Sequence, residues 1–231
     1  MQKIGKALIF DLDGVIVNSQ DLYENTLSIF LRDLGVNNID FKSLIGMTTA
    51  GALSHISTTH ILPGTIADLT KEFQRIYQKS FKLSLSEDNL IEGVKHFIIR
   101  VANTNVRLAV ASSASRPKIE MVLTRFGLSR YFDSIVSGYE VKESKPAPDV
   151  FIQSALNLNI EPSDCIVIED STNGIIGAKT AGMLCVGFRN PKSGNQDLTG
   201  ADCVLESFLE TEIISLHNGF LELNLNNRQS I

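Results

Sequence analysis

The chain has 231 residues, 43% hydrophobic and 20% charged, an ordinary globular composition that can fill the core of one large domain or two small ones. Its 26 acidic and 21 basic residues give a net charge of −5, which leaves no basic footprint for nucleic acid. No apolar run approaches the ~20 residues that cross a bilayer, and Met1-Gln-Lys-Ile-Gly-Lys6 leads into the first strand without a signal-peptide apolar stretch, so a cytoplasmic chain with no membrane or nucleic-acid partner is expected.

Ala7-Leu-Ile-Phe10 is apolar on both faces and reads as a central buried strand. Asp11 and Asp13 come next, two apart, so on an extended chain their side chains project together from its carboxyl end. Gly14 permits a sharp turn there. Two adjacent carboxylates repel, and burying them costs several kcal/mol without a cation, a shared proton or strong donors. A hard divalent cation such as Mg2+ is the simplest partner. A plain polar turn is the alternative reading of Asp-x-Asp-Gly.

Residues 19–35 carry Leu22, Leu27, Phe30, Leu31 and Leu34 at helical spacing, with Ser19 as N-cap and Gly35 as C-cap. Residues 40–57 and 65–83 also read as helices, separated by Leu62-Pro63-Gly64. No strand pattern occurs between 18 and 90, so this stretch reads as a helical insertion. From Gly93 the pattern alternates. Helices are expected at 94–101, 117–126, 148–158 and 173–181, and strands at 106–111, 134–136, 165–168 and 183–187. A last short strand is expected at 201–204, a terminal helix near 206–216 and a loose tail over 218–231. Such alternation predicts a parallel sheet with helices on both faces, binding its ligand at the carboxyl ends of the strands. Cys165, Cys185 and Cys203 are far apart, each in or beside an apolar run, and read as buried thiols. The four histidines lack metal-ligand spacing.

The residues at the carboxyl ends of these strands form a chemically coherent set. Asp11 and Asp13 end the first, Ser112 and Ser113 the strand over 106–111, and Glu169 and Asp170 the strand over 165–168. Lys145-Pro-Ala-Pro-Asp149 precedes a helix. If neighbouring strands are parallel, these groups meet in one cleft. One carboxylate can attack a phosphoryl group and carry it as an aspartyl phosphate, and a second can donate and then accept a proton. Glu169 and Asp170 can complete an oxygen shell around Mg2+. Ser112 and the N–H groups at the start of the next helix can hold phosphate oxygens, and Lys145 can balance the charge of nucleophile and transferring group. Taken singly, Ser112-Ser113-Ala114-Ser115 reads rather as a helix N-cap region, Glu169-Asp170-Ser171 also as a capping sequence, and Lys145 also as a loop lysine between prolines.

Asp11-Leu-Asp-Gly-Val15, Ser112, Lys145-Pro-x-Pro-Asp149 and Glu169-Asp-Ser-x-x-Gly174, continuing to Ala181-Gly-Met183, together resemble the four motifs of the haloacid dehalogenase superfamily, in order and over nearly the whole chain. The resemblance implies an α/β fold: a Rossmann-like parallel sheet flanked by helices, with an inserted all-helical cap, as in the phosphoglycolate phosphatase and β-phosphoglucomutase branch. It divides the chain into a core of 1–17 and 91–231 and a cap of 18–90. It implies Asp11 as nucleophile and Asp13 as general acid/base. Mg2+ would be held by Asp11, the Asp13 main-chain carbonyl and Asp170, with Glu169 at or near the metal. Phosphate would be bound by Ser112, Ser113 and Lys145. Asp13 argues against dehalogenation. Asn18-Ser19-Gln20 and Glu92-Gly93 depart from the usual cap entrance and exit. Gly46-Met-Thr-Thr49 lacks the arginine that mutases use for a distal phosphate. It leaves Thr48 and Thr49 either facing substrate or starting a cap helix. The expected activity is hydrolysis of a small phosphate monoester, of sugar phosphate or phosphoglycolate type. The alternatives are a β-phosphoglucomutase-like phosphosugar mutase and a non-catalytic phosphometabolite-binding protein.

Overall fold

The computed structural model describes residues 2–44, 47–209, 214–217 and 220–224. In chain order its first elements are β1 (Gln2–Gly5), β2 (Ala7–Phe10), α1 (Gln20–Asp33), α2 (Thr49–Ser57), α3 (Ile66–Ser84), α4 (Val94–Ala102) and β3 (Arg107–Ser112). Next come α5 (Arg116–Arg125), β4 (Ser134–Ser137), α6 (Asp149–Leu158), β5 (Cys165–Glu169), α7 (Thr172–Thr180), β6 (Leu184–Phe188), β7 (Cys203–Leu205), β8 (Ile214–His217) and β9 (Phe220–Asn224).

Six strands form one parallel sheet in the order β4-β3-β2-β5-β6-β7. All four residues of β2 are fully buried, which is why the strand reads as a continuous apolar run instead of an alternating one. The pleat divides them. Leu8 and Phe10 pack with Phe97 and Ile98 of α4 and Val122 and Leu123 of α5. Ala7 and Ile9 pack with Val150 and Phe151 of α6 and Ala178 of α7. Each such buried Leu, Ile or Phe contributes about 1.5–3 kcal/mol relative to exposure. That apolar layer is what can hold polar groups out of water at the strand tips.

Helices α1, α2 and α3 pack around a separate apolar cluster that includes Leu27, Phe30, Leu53 and Phe73. The two chain crossings beneath it pair with each other: the Asn18 N–H donates to the Asn89 carbonyl (2.6 Å), and the Ile91 N–H to the Ile16 carbonyl (3.0 Å).

Four expectations need correction. Residues 40–57 do not form one helix: Phe41–Leu44 is a 3-10 turn and α2 starts at Thr49. Thr48 is extended, and its hydroxyl accepts from the Gly51 N–H (3.1 Å), a local bond that starts a new helix there. Residues 45 and 46 lie outside the described residues. The terminal helix near 206–216 is absent where the chain is described. Ile214–His217 is instead a strand, paired antiparallel with Phe220–Asn224, and that strand in turn pairs with Gln2–Gly5. The tail over 218–231 is therefore part strand, with 218–219 and 225–231 outside the described residues. Ile214-Ser-Leu-His217 alternates apolar and polar with the strand period, and Asn218-Gly219 between the two runs is a strong hairpin signal. The N-terminal residues 2–5, expected only to lead into the first strand, are a strand of this second sheet. The three cysteines are buried, Cys165 and Cys185 as free thiols.

Candidate active site

Because β2 lies between β3 and β5, with Phe10 level with both Val110 and Ile168, the residues just past these strands gather at one edge. Asp11 continues β2, its N–H donating to the Ile168 carbonyl (3.0 Å). The chain then turns tightly: the Gly14 N–H donates to the Val17 carbonyl (2.8 Å) and the Ile16 N–H to the Leu12 carbonyl (2.9 Å). Gly14 has φ +89°, and a Cβ there would overlap the Asp170 carboxylate. Only glycine satisfies both demands. Asp11, Asp13, Ser112, Lys145, Glu169 and Asp170 all line one cavity of about 220 Å³.

Lys145 organises it. Its ammonium donates to Asp11 Oδ1 (2.5 Å), Glu169 Oε1 (2.6 Å) and the Ala111 carbonyl (2.9 Å), so its three N–H donors meet three acceptors. It also lies over the Phe151 ring, 5.0 Å from the centroid. Burial alone would lower the Lys145 pKa, but the Asp11 and Glu169 carboxylates outweigh it and the group stays above the ordinary lysine range. Glu169 Oε2 accepts from the Ser171 N–H (2.9 Å) and hydroxyl (2.8 Å). Both Glu169 oxygens are therefore engaged by protein donors. Asp170 Oδ2 accepts from the Ser193 hydroxyl.

The charge balance suits a divalent cation. Asp11, Glu169 and Asp170 are 6%, 1% and 6% exposed, and Lys145 is the one ammonium among the described residues that bonds to any of them. Burial raises the Asp11 carboxyl to about 7, with Lys145 opposing and Glu169 adding to the rise. Burial likewise raises Asp170, reinforced by Glu169 and Asp11. These are carboxylates short of positive charge. Among the described residues no three His, Cys, Asp or Glu side chains converge as a ready-made cage. One or two carboxylates completed by water and a substrate phosphate is the sparse set Mg2+ takes, and Asp11, Asp170 and a main-chain carbonyl fit it.

Ser112 is 1% exposed, and its hydroxyl accepts from the Ala114 N–H (3.1 Å). The Ser113 hydroxyl lies 3.2 Å from that of Ser144. Asp13 also lines a second cavity, of about 560 Å³, with Thr48, Thr49, Tyr23, Tyr77 and Lys118. Thr48 caps α2 and Thr49 accepts from the Tyr23 hydroxyl (3.3 Å), so both are helix-start residues that also face this cavity. Ser19 does not cap α1 with its side chain. Its hydroxyl donates to Asp13 Oδ1 (2.5 Å).

Two contributors carry no signal in the sequence. Lys118 bonds both Asp13 oxygens (2.8 Å each). Asn190, 6% exposed, donates to the Gly14 carbonyl (2.9 Å) and to Asn18 Oδ1 (3.2 Å), tying the turn to the first crossing. Neither belongs to a local pattern. Their partners are 105 and 176 residues away along the chain.

A family model for haloacid dehalogenase-like hydrolases matches residues 8–188. The chain is 34% identical over 192 residues to Protein SUPPRESSOR OF QUENCHING 1, chloroplastic, of Arabidopsis thaliana, a match covering 81% of this chain and 18% of that protein. The chain thus spans under a fifth of that relative. Against Beta-phosphoglucomutase of Bacillus subtilis it is 29% identical, covering 98% of this chain and 99% of that one. Among solved structures, CbbY from Rhodobacter sphaeroides in complex with xylulose-(1,5)bisphosphate superposes with a TM-score of 0.76 at 26% identity, covering 90% of this chain and 96% of that one.

Proposed function

The chain belongs to the haloacid dehalogenase-like hydrolase family, and we propose that it is a cytoplasmic, Mg2+-dependent phosphatase of a small phosphorylated metabolite, with residues 1–17 and 91–231 as catalytic core and 18–90 as cap. The observation that carries this reading is Lys145 bonded to both Asp11 and Glu169, in one cavity with Asp13 and Asp170. No helix among the described residues is long and apolar enough to cross a membrane. The paired crossings at Asn18–Asn89 and Ile16–Ile91 support the division into core and cap.

In this reading an Asp11 carboxylate oxygen attacks phosphorus. The bond from phosphorus to the ester oxygen breaks, and Asp13, entering this step in its protonated form, gives that proton to the departing alkoxide. Asp13 then takes a proton from water as that water attacks the aspartyl phosphate, releasing inorganic phosphate and restoring Asp11. Lys145 fixes Asp11 and offsets charge on the transferring group. Ser112, Ser113 and nearby N–H groups hold its oxygens. Asp11, Asp170 and the Asp13 carbonyl would hold Mg2+, which supplies charge neutralisation for the phosphoryl group. Glu169, with both oxygens engaged, we assign to holding Lys145 and not to the ion.

The larger cavity supports a sugar-phosphate type of substrate over phosphoglycolate. It is lined by neutral hydrogen-bonding groups, among them Gln20, Gln74, Gln78, Thr48 and Thr49. Its one cation among the described residues, Lys118, is engaged by Asp13. The test is a panel of sugar, alditol and organic-acid phosphates with Mg2+, comparing wild type with Asp11→Asn. Undiminished turnover by the variant sinks the mechanism. The mutase reading draws on the near full-length similarity to Beta-phosphoglucomutase, but no arginine is among the described residues lining either cavity. Counting phosphate released against glucose 6-phosphate formed from β-glucose 1-phosphate separates the two.

A further inference from the structure

Two side chains hold the Asp13 carboxylate. Ser19, just before α1, donates to its Oδ1. Lys118, in the first turn of α5, donates to both of its oxygens. The Lys118 ammonium in turn lies 5.5 Å from the Tyr77 ring centroid and 4.9 Å from that of Phe81, both on α3 of the helical insertion. An exposed lysine paired with a surface carboxylate contributes little and holds its partner loosely. Here the Lys118 side chain is only 16% exposed, and its ammonium sits against an aromatic face. The pair is thus shielded, and both residues line the larger cavity.

We propose that Lys118 is the positioning residue of Asp13. It holds the carboxylate where the leaving-group oxygen passes, and the Tyr77–Phe81 face of α3 holds Lys118, so the aim of the acid depends on the helical insertion as well as the core. This rests on the phosphatase reading for its kinetic consequence, but not for its geometric one. An alkyl phosphate leaves as a basic alkoxide and needs Asp13's proton as the ester bond breaks. p-Nitrophenyl phosphate leaves as a stabilised phenolate and does not. A residue that aims the acid therefore matters for the first ester and not the second, whereas a structural or phosphate-binding residue affects both alike.

The experiment compares wild type, Lys118→Met and Lys118→Arg on a hexose 6-phosphate and on p-nitrophenyl phosphate, reading kcat/KM, which reports the steps up to phosphoryl transfer. Lys118→Met is expected to lose about 100-fold on the sugar ester, the lower range of general-acid contributions, and less than about threefold on p-nitrophenyl phosphate, which also reports an intact fold. Lys118→Arg is expected to recover most of the loss. Equal losses on the two esters, or none on either, overturn the proposal. Crystal structures of wild type and Lys118→Met test the geometry without turnover. An Asp13 carboxylate displaced from Ser19 in the variant supports the proposal; one left in place overturns it. Wild-type failure on both esters would count against the phosphatase reading and leave this structural comparison to decide the role of Lys118.

Discussion

Replacing Lys145 with methionine keeps the length and apolar body of the side chain and deletes the charge. The wild-type side chain is 5% exposed, and its partners Asp11 and Glu169 are 9% and 1% exposed at 2.5 and 2.6 Å. Removing one partner from a buried ion pair costs about 3–5 kcal/mol, because the remaining charge is stranded. A stranded carboxylate escapes by taking up a proton. Asp11 already lies at about 7 with Lys145 opposing the rise, so without Lys145 it moves higher. A carboxyl whose folded pKa exceeds its unfolded value contributes stability at low pH that is lost as pH rises through the folded value. The deficit of Lys145→Met is therefore smaller at pH 5.5 than at pH 8, and reaches the full ion-pair cost only above the variant's raised Asp11 value. At about 2–4 °C per kcal/mol for a chain of this size, that full cost is a Tm loss of about 6–20 °C, of which pH 8 shows a part. Thermal unfolding monitored by circular dichroism in EDTA reads it directly. Adding Glu169→Gln removes one stranded charge and should return roughly half the loss. A deficit below about 2 °C at pH 8, or one equal at both pH values, refutes the charge argument.

Gly14→Ala combines a left-handed φ, worth about 1–3 kcal/mol of strain, with overlap on the Asp170 carboxylate. It should abolish the Tm rise produced by Mg2+, whereas Gly35→Ala, at φ +78° with open space around its Cβ, should lower Tm and keep the Mg2+ response. Mg2+ must displace the protons favoured on Asp11 and Asp170, so its apparent affinity, measured by thermal-shift titration, should fall by up to about tenfold per proton displaced for each pH unit below about 7. Affinity constant between pH 6 and 8 contradicts this. The cysteines are buried, with burial pushing the Cys165 thiol up to about 12 and Cys185 also upward. A disulfide reagent should label them slowly in the native protein and promptly in denaturant; fast native labelling would exclude the packing described.

The parallel sheet and its flanking helices are legible in the sequence because β2 and its neighbours announce themselves locally, as short apolar runs punctuated by glycine or proline. Asp11, Ser112, Glu169 and Asp170 are legible as a set for the same reason, since each ends or succeeds such a run. The carboxyl-terminal strands leave a weaker trace, in Ile214-Ser-Leu-His217 and Asn218-Gly219. A helix and a loose tail are the expectation there because short alternating segments become strands only when a partner pairs them. That partner is Gln2–Gly5, at the opposite end of the chain. Within 40–57, the start of α2 is marked by one hydroxyl, that of Thr48, accepting from the Gly51 N–H. Which lysine meets which carboxylate is decided by tertiary structure alone. Lys145 reaches Asp11 across 134 residues and Lys118 reaches Asp13 across 105. Sequence spacing encodes period and therefore the direction of a side chain on its own element, whereas contact between side chains on different elements comes from strand order and helix docking.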